Sequence, residues 1–201
     1  MDKIDKDLAY LLGALRDASV DIRERKNYEI KIAQKNKEWL QKLQSIIKQK
    51  FGYKGKITRH GKNYYILRIT QKRVVEKIMQ LAEIKIPQIL WNTPAIIKRQ
   101  PLDVQKEYIK GFFDAEAGLP GNPKKWKYIS FDQKAKEPLE FIREVLIKLK
   151  FKPTNLTWTS GVWQFRLARK ADIINFIEKI GSSHPDKIKK LHLLKQALKG
   201  S

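Results

Sequence analysis

Asp114 and Glu116 stand at the end of the stretch Ile109-Lys110-Gly111-Phe112-Phe113-Asp114-Ala115-Glu116-Ala117-Gly118. Carboxylates there oppose the dipole of a helix that ends at them, because the helix C-terminus already carries partial negative charge. Acids in a disfavoured place, beside a closely packed face, point to a site for a cation. A second stretch of this kind lies near the N-terminus, Tyr10-Leu11-Leu12-Gly13-Ala14-Leu15-Arg16-Asp17-Ala18-Ser19-Val20, and its acid is Asp17. Two carboxylates at one spot repel each other unless they are protonated or bind metal. Hard oxygen donors without cysteine or a neighbouring histidine suit Mg²⁺, not zinc. With phosphate oxygens and waters completing the shell, such a pair fits metal-assisted phosphodiester hydrolysis.

The elements that must bring these acids together are helices. Tyr108, Phe112 and Phe113 are apolar at helical spacing, and Gly118 and Pro120 end the run. Gly111 and Ala115, four residues apart, leave one face almost bare. A bare face lets a second helix approach closely, and Gly13 offers the matching gap. Gly13 pairs with Gly111 at an offset of 98, whereas Asp17-Ala18-Ser19-Val20 pairs with Glu116-Ala117-Gly118-Leu119 at 99. The first copy is therefore one residue short. Placing the deletion inside the first helix makes Asp17 the partner of Glu116; a gap-free alignment puts Ala18 there instead.

Both stretches resemble the LAGLIDADG motif of homing endonucleases, in the single-chain form that carries two motifs, and Gly111-Phe112-Phe113-Asp114-Ala115-Glu116 matches it closely. The resemblance implies an α+β fold of two pseudo-symmetric α-β-β-α-β-β-α repeats, motif helices at the centre and antiparallel sheets forming a DNA saddle. It implies divalent-metal cleavage of both DNA strands, with Mg²⁺ at Asp17 and Glu116 beside the residues that follow them, Ala18 and Ala117. The family usually has glycine after the acid, so Ala18 and Ala117 depart from its pattern. Gln34 and Gln133 match the position that supports the catalytic water network. Lys72 and Lys170 lie near the family's peripheral basic residue, and Lys35 and Lys134 are similar candidates.

The repeat itself is visible without the family. Gln34-Lys35 matches Gln133-Lys134 at an offset of 99, and Tyr65, Arg68 and Lys72 match Trp163, Arg166 and Lys170 at 98. The expected division is residues 1–84, a proline-broken linker over 85–104 containing Pro87, Pro94 and Pro101, and residues 105–201. In the first half the patterning predicts a helix over 8–16, a charged connector over 19–27, a strand over 28–33, a helix over 37–50, a hairpin of 51–59 and 63–70, and a helix over 74–82. The second half predicts a helix over 105–117, a strand over 125–132, a helix over 138–150, a hairpin of 155–159 and 162–168, and helices over 171–180 and 187–198.

With 201 residues, 42% hydrophobic and 32% charged, the chain is long and apolar enough for a real core. Its 43 Lys plus Arg against 21 Asp plus Glu give +22, spread along the chain, which points to a polyanion. A lysine-rich surface of the kind found in thermophiles would give a similar count. Absence of cysteine excludes disulfides and fits a reducing or hot cytosol. No apolar run approaches the roughly 18 residues of a membrane helix. The alternating charges of Asp2, Lys3, Asp5 and Lys6 do not resemble a signal peptide. The expectation is a cytoplasmic prokaryotic protein.

The outward faces of the hairpins supply the expected DNA contacts. Arg68 and Arg166 can bridge guanine O6 and N7. Lys31, Lys56, Thr157 and Gln164 share that face, and Arg23, Arg25 and Lys125 in the connectors extend it. Tyr65, Trp39, Trp158 and Trp163 are expected to pack. The halves differ at Lys31 against Ser130, Tyr64 against Val162 and Ile66 against Gln164. Those differences predict one chain acting as a monomer on a long, partly palindromic duplex site. The alternatives are a non-cleaving relative, an intron maturase or regulator, and a basic RNA-binding protein with no need of paired acids.

Overall fold

The computed structural model describes residues 4–23, 27–86 and 91–199. The first half runs α1 (Lys6–Ala14), a 3₁₀ turn (Leu15–Asp17), β1 (Ala18–Arg23), β2 (Asn27–Gln34), α2 (Lys37–Phe51), β3 (Lys56–His60), β4 (Tyr64–Ile69) and α3 (Lys72–Ala82). After it come a short helix α4 (Ala95–Lys98), α5 (Leu102–Glu116), β5 (Ile129–Gln133), α6 (Lys136–Lys148), β6 (Thr157–Thr159), β7 (Val162–Leu167), α7 (Lys170–Lys179) and α8 (Pro185–Lys199). Among the described residues no helix is long and apolar enough to cross a membrane.

At the centre α1 and α5 cross with their backbones nearly touching. A Cβ at Gly13 would lie 2.1 Å from the Tyr108 carbonyl oxygen, and one at Gly111 would lie 2.0 Å from that of Tyr10. Only glycine tolerates this approach. Leucines 8, 11, 12 and 15 of the first motif and Phe112 and Phe113 of the second fill the space on either side, all buried. Phe113 continues into an aromatic cluster with Phe131 and Phe176, their centroids 4.9–6.2 Å apart, which fastens β5 and α7 to the central helix.

Both sheets are antiparallel. The first has the order β1-β2-β4-β3 and the second β5-β7-β6. Ile30, Ile32, Leu67 and Ile69 of the first, and Ile129, Phe131, Phe165 and Leu167 of the second, turn into the core and are almost fully buried. Alternate residues therefore face outward.

Three expectations are corrected. The charged connector over 19–27 is largely strand β1, whose register pairs Ser19 with Lys31 and Asp21 with Glu29. Ser19-Val20-Asp21-Ile22-Arg23 alternates polar and apolar, so the charges mark an outward face and not a loop. In the second half Pro120 and Pro123 fall at that place, and the pairing shrinks to one bridge between Gly118 and Ser130. The strand expected over 125–132 begins only at Ile129. Trp158, expected to pack, is 56% exposed and meets Trp163 edge-on at 5.5 Å.

The crossing sets a stability test. Gly13→Ala or Gly111→Ala drives a methyl into backbone that cannot yield, so each should lose about 3 kcal/mol or more in denaturant unfolding. Gly121→Ala, with nothing within 4 Å of its added methyl, should stay within about 0.5 kcal/mol of the parent. Equal effects at Gly111 and Gly121 would contradict the close crossing.

Candidate active site

Each acid is placed by the end of a central helix, but the two helices end differently. Around the crossing the equivalence runs at an offset of 98: the Gly13 Cβ would meet Phe112 N, and the Gly111 Cβ would meet Ala14 N. Beyond the acids it runs at 99, since Ser19 pairs with Lys31 just as Gly118 pairs with Ser130. The shortfall is absorbed between these points. From Ala14 to Asp17 the chain takes three residues of 3₁₀ geometry; from Phe112 to Glu116 it takes four of α-helix. Three rises of about 2.0 Å equal four of about 1.5 Å. The faster rise offsets the missing residue, and Asp17 lies near enough for its charge to raise the Glu116 pKa.

The two acids sense each other. Glu116 has its pKa pushed up to about 6, first by burial and then by the charge of Asp17, with Lys187 and Arg16 opposing. Burial also raises Asp17, against the hydrogen bond from Gln34 and the charge of Lys187. Gln34 Nε2 donates to Asp17 Oδ2. Gln133, its counterpart, accepts from its neighbour's backbone at Lys134 N, 2.8 Å away, and among the described residues it makes no matching bond to Glu116. Among the described residues no group of three or more His, Cys, Asp and Glu side chains forms a metal cluster. The donor set is a pair of carboxylates, a hard, partly buried anionic pair that suits an oxygen-seeking divalent cation completed by phosphate and water.

Asp114 belongs to a different arrangement. It is 1% exposed and accepts from the Tyr10 hydroxyl at 2.6 Å, from Ser183 N at 2.8 Å and from Ser182 Oγ. Tyr10 accepts in turn from Trp39 Nε1 at 2.7 Å. Burial and the Asp114 charge push the Tyr10 hydroxyl well above its ordinary pKa, so it remains a donor. This network ties α1, α2 and α5 to the entry of α8, and it removes Asp114 from the candidate ligands.

The basic candidates divide. Lys72 pairs with Glu76 at 3.8 Å and lies 4.9 Å from the Tyr28 ring centroid, and Lys170 opens α7. Neither is the cation that both acids feel; that cation is Lys187, on α8. Lys187 Nζ donates to Phe113 O and, at 2.8 Å, to Ala117 O, so the Ala117 carbonyl is already engaged in this structure. Burial lowers the Lys187 pKa to about 8 despite the surrounding acids. Sequence reasoning missed Lys187 because α8 looks like an ordinary basic terminal helix. Ala18 opens β1 directly after Asp17, paired with Ile32.

On the outward face of the first sheet the register aligns Lys31, Arg68 and Lys56 in one row across three strands. Glu29 holds two of them, with Arg68 at 2.5 Å and Lys31 at 2.9 Å. On the second sheet Arg166 lies 4.5 Å from the Tyr128 ring centroid, and Asp132 accepts from Gln164, whose register partners are Asp132 and Thr157. Arg23 pairs with Asp21 at 3.2 Å, Lys35 lies 5.5 Å from the Tyr64 ring, Lys125 lies 5.5 Å from the Trp126 ring, and Lys134 follows β5. Arg25 is outside the described residues.

The model of the LAGLIDADG-like domain family matches twice, over residues 5–81 and 103–181. Homing endonuclease I-ApeI of Aeropyrum pernix is 34% identical over 196 residues, covering 93% of this chain and 86% of that protein. The crystal structure of I-DmoI in complex with DNA and Mn superposes with a TM-score of 0.66 at 24% identity, over 89% of this chain and 98% of that one. Homing endonuclease I-WcaI, bound to its DNA recognition sequence, superposes at 0.63 with 15% identity, over 95% and 88%.

The raised Glu116 pKa gives a pH signature for the metal-free protein. An acid whose folded pKa lies above its unfolded value holds its proton longer when folded, so stability falls as pH rises through that interval. The window runs from the ordinary value of 4.5 to about 6. Glu116→Gln should therefore change little below pH 4.5 and stabilise by up to about 2 kcal/mol above pH 6. Urea unfolding in chelator at pH 4 and pH 7 checks this, and the same increment at both pH values would refute it.

Proposed function

Because the chain belongs to the LAGLIDADG family of homing endonucleases, we propose that it is a site-specific endonuclease that cuts both strands of duplex DNA with a divalent metal, Mg²⁺ being the physiological choice. The observation that carries this reading is that Asp17 and Glu116 end the two crossing helix segments close enough for the charge of one to raise the pKa of the other. A bound divalent cation would polarise the scissile phosphate and lower the pKa of the attacking water. Asp17 and Glu116 would hold it, one from each repeat. Gln34 fixes one oxygen of Asp17 and leaves the other free to ligate. The I-DmoI complex with DNA and Mn, on the same fold, supports a divalent ion in this role.

The two outward sheet faces form the DNA surface in this reading. Arg68 and Arg166 reach base edges, and Lys31, Lys56, Thr157 and Gln164 flank them. One chain carries both halves, so a monomer suffices for one duplex cut. The cationic row on the first sheet is only partly repeated on the second, where Arg166 recurs but its neighbour across the strands is Ser130 in place of a lysine, so the two half-sites need not match. Lys72 and Lys170 would act from the periphery. The setting is the cytoplasm of a prokaryote. A non-cleaving binder of the same fold would have no use for a second acid restored to height by a 3₁₀ turn.

Two experiments test the reading. On plasmids carrying the target, Asp17→Asn and Glu116→Gln should each abolish double-strand cutting while DNA affinity stays within roughly tenfold, about 1.4 kcal/mol. Wild-type cutting by Asp17→Asn, or cutting in the presence of chelator, would reject it. In selection from a randomised target library, Arg68→Ala should cost about 1–3 kcal/mol and relax preference at one base pair. Glu29→Gln should blur the same position while tightening overall binding, because it frees Arg68 and removes a negative charge from the DNA face. An unchanged preferred sequence for Arg68→Ala would show that Arg68 does not read a base.

A further inference from the structure

Lys187 plays no part in the reading above, yet its charge acts on both acids of the site. It lies in the first turn of α8, and the chain entering that helix is fixed firmly. Ser182 and Ser183 both donate to Asp114, and the buried His184 ring lies 5.2 Å from that of Trp39. So anchored, Lys187 sends its ammonium to the carbonyls of Phe113 and Ala117, with the Phe113 ring centroid 5.0 Å away. These carbonyls close the C-terminal end of α5, which carries the negative end of the helix dipole. Asp17, Glu116 and Asp114 all interact with the same ammonium. Glu116 also feels Arg16, but the Arg16 guanidinium is committed to Trp91 O, Asn92 O and the Tyr108 hydroxyl. Lys187 is thus a charge on a long flexible stem set among three acids and a helix terminus.

We propose that Lys187 is the built-in counter-ion of the acid pair, a positioning residue that partly offsets the charge of Asp17 and Glu116 in the metal-free protein and opposes a divalent cation until DNA arrives. The inference rests on the metal-dependent reading above. Among these carboxylates one ammonium cancels part of the negative charge that would otherwise hold a divalent cation, so the metal-free site binds such a cation more weakly. Adding one phosphate diester restores the balance. Metal and DNA then load cooperatively, and Lys187 sets the coupling between them. The free enzyme, with +22 overall and a weak metal site, is kept from carrying an armed centre until it is seated on a duplex.

The test uses Mn²⁺ as probe, with free Mn²⁺ followed by paramagnetic resonance in the presence and absence of target duplex. Without DNA, Lys187→Met should bind Mn²⁺ about tenfold tighter than the parent, and Lys187→Arg should behave like the parent. The gain in Mn²⁺ affinity on adding DNA should shrink in Lys187→Met. Thermal unfolding in chelator should show Lys187→Met destabilised, with Ca²⁺ recovering the loss. The loss should be smaller in the Lys187→Met/Glu116→Gln double variant. A merely structural lysine predicts otherwise: the same loss with or without Ca²⁺, the same loss in the Glu116→Gln background, and unchanged Mn²⁺ affinity. That result overturns the proposal and leaves the endonuclease reading intact. Mn²⁺ binding that ignores both Asp17→Asn and Glu116→Gln overturns the metal reading itself.

Discussion

Everything in this molecule depends on two helix backbones being allowed to touch. Gly13 and Gly111 each sit where a methyl group would lie about 2 Å from a carbonyl oxygen of the opposite helix. That approach has two consequences. It brings the C-terminal ends of α1 and α5 together, where like partial charges and two acids accumulate. It also leaves each sheet to pack on its own side of the helix pair, so that one chain presents two separate outward faces. The electrostatic strain at the helix ends and the pseudo-two-fold layout follow from one packing contact.

The deletion in the first motif shows how local geometry can conserve a position that sequence spacing loses. The count of residues between glycine and acid differs by one, and the change of offset from 98 to 99 makes this visible in the sequence. What the sequence does not display is the change of helix type that compensates for it. A 3₁₀ turn rises faster per residue than an α-helix, so it covers the same height with fewer residues. Its hydrogen bonding is poorer, and such turns stay short. Here the turn lasts three residues before Ala18 enters β1. The paired strand starts at once, with Ala18 opposite Ile32, whereas the prolines of the second half leave a single bridge there.

Much of the fold was legible because apolar periodicity and the repeat reinforced each other: the motif helices, α2, both hairpins and α6 lie within a few residues of where the pattern puts them. The acid pair was legible because its members close equivalent stretches. Strand β1 was hidden by its charges, which a residue count reads as a connector and an alternation reads as one solvated face. Lys187 was hidden for a different reason. Its role depends on a chain reversal at Gly181, at a φ of +65° that favours glycine, and on two serines that find Asp114. No spacing within α8 encodes that. The network also explains the second acid of the motif: Asp114 looked like a ligand beside Glu116, but its oxygens are occupied by Tyr10, Ser182 and Ser183.

The two saddles show that a duplicated architecture need not carry a duplicated surface. Arg68 and Arg166 hold equivalent places, yet a carboxylate grips one and a tyrosine ring supports the other. An ion pair must be opened or shared when a base edge takes the guanidinium, and desolvation of the bound carboxylate adds to that expense. A stacked arginine keeps its donors free and pre-aimed. In the proposed reading, the first half would resist binding unless the base offers enough in return, and the second would bind with less discrimination against imperfect sites. In a single chain these properties are joined by the rigid α1–α5 crossing, so engagement of the permissive half holds the demanding half against the duplex. In the proposed reading discrimination would fall mainly on the sheet with the Glu29–Arg68–Lys31 cluster, which belongs to the same half in which Gln34 donates to Asp17.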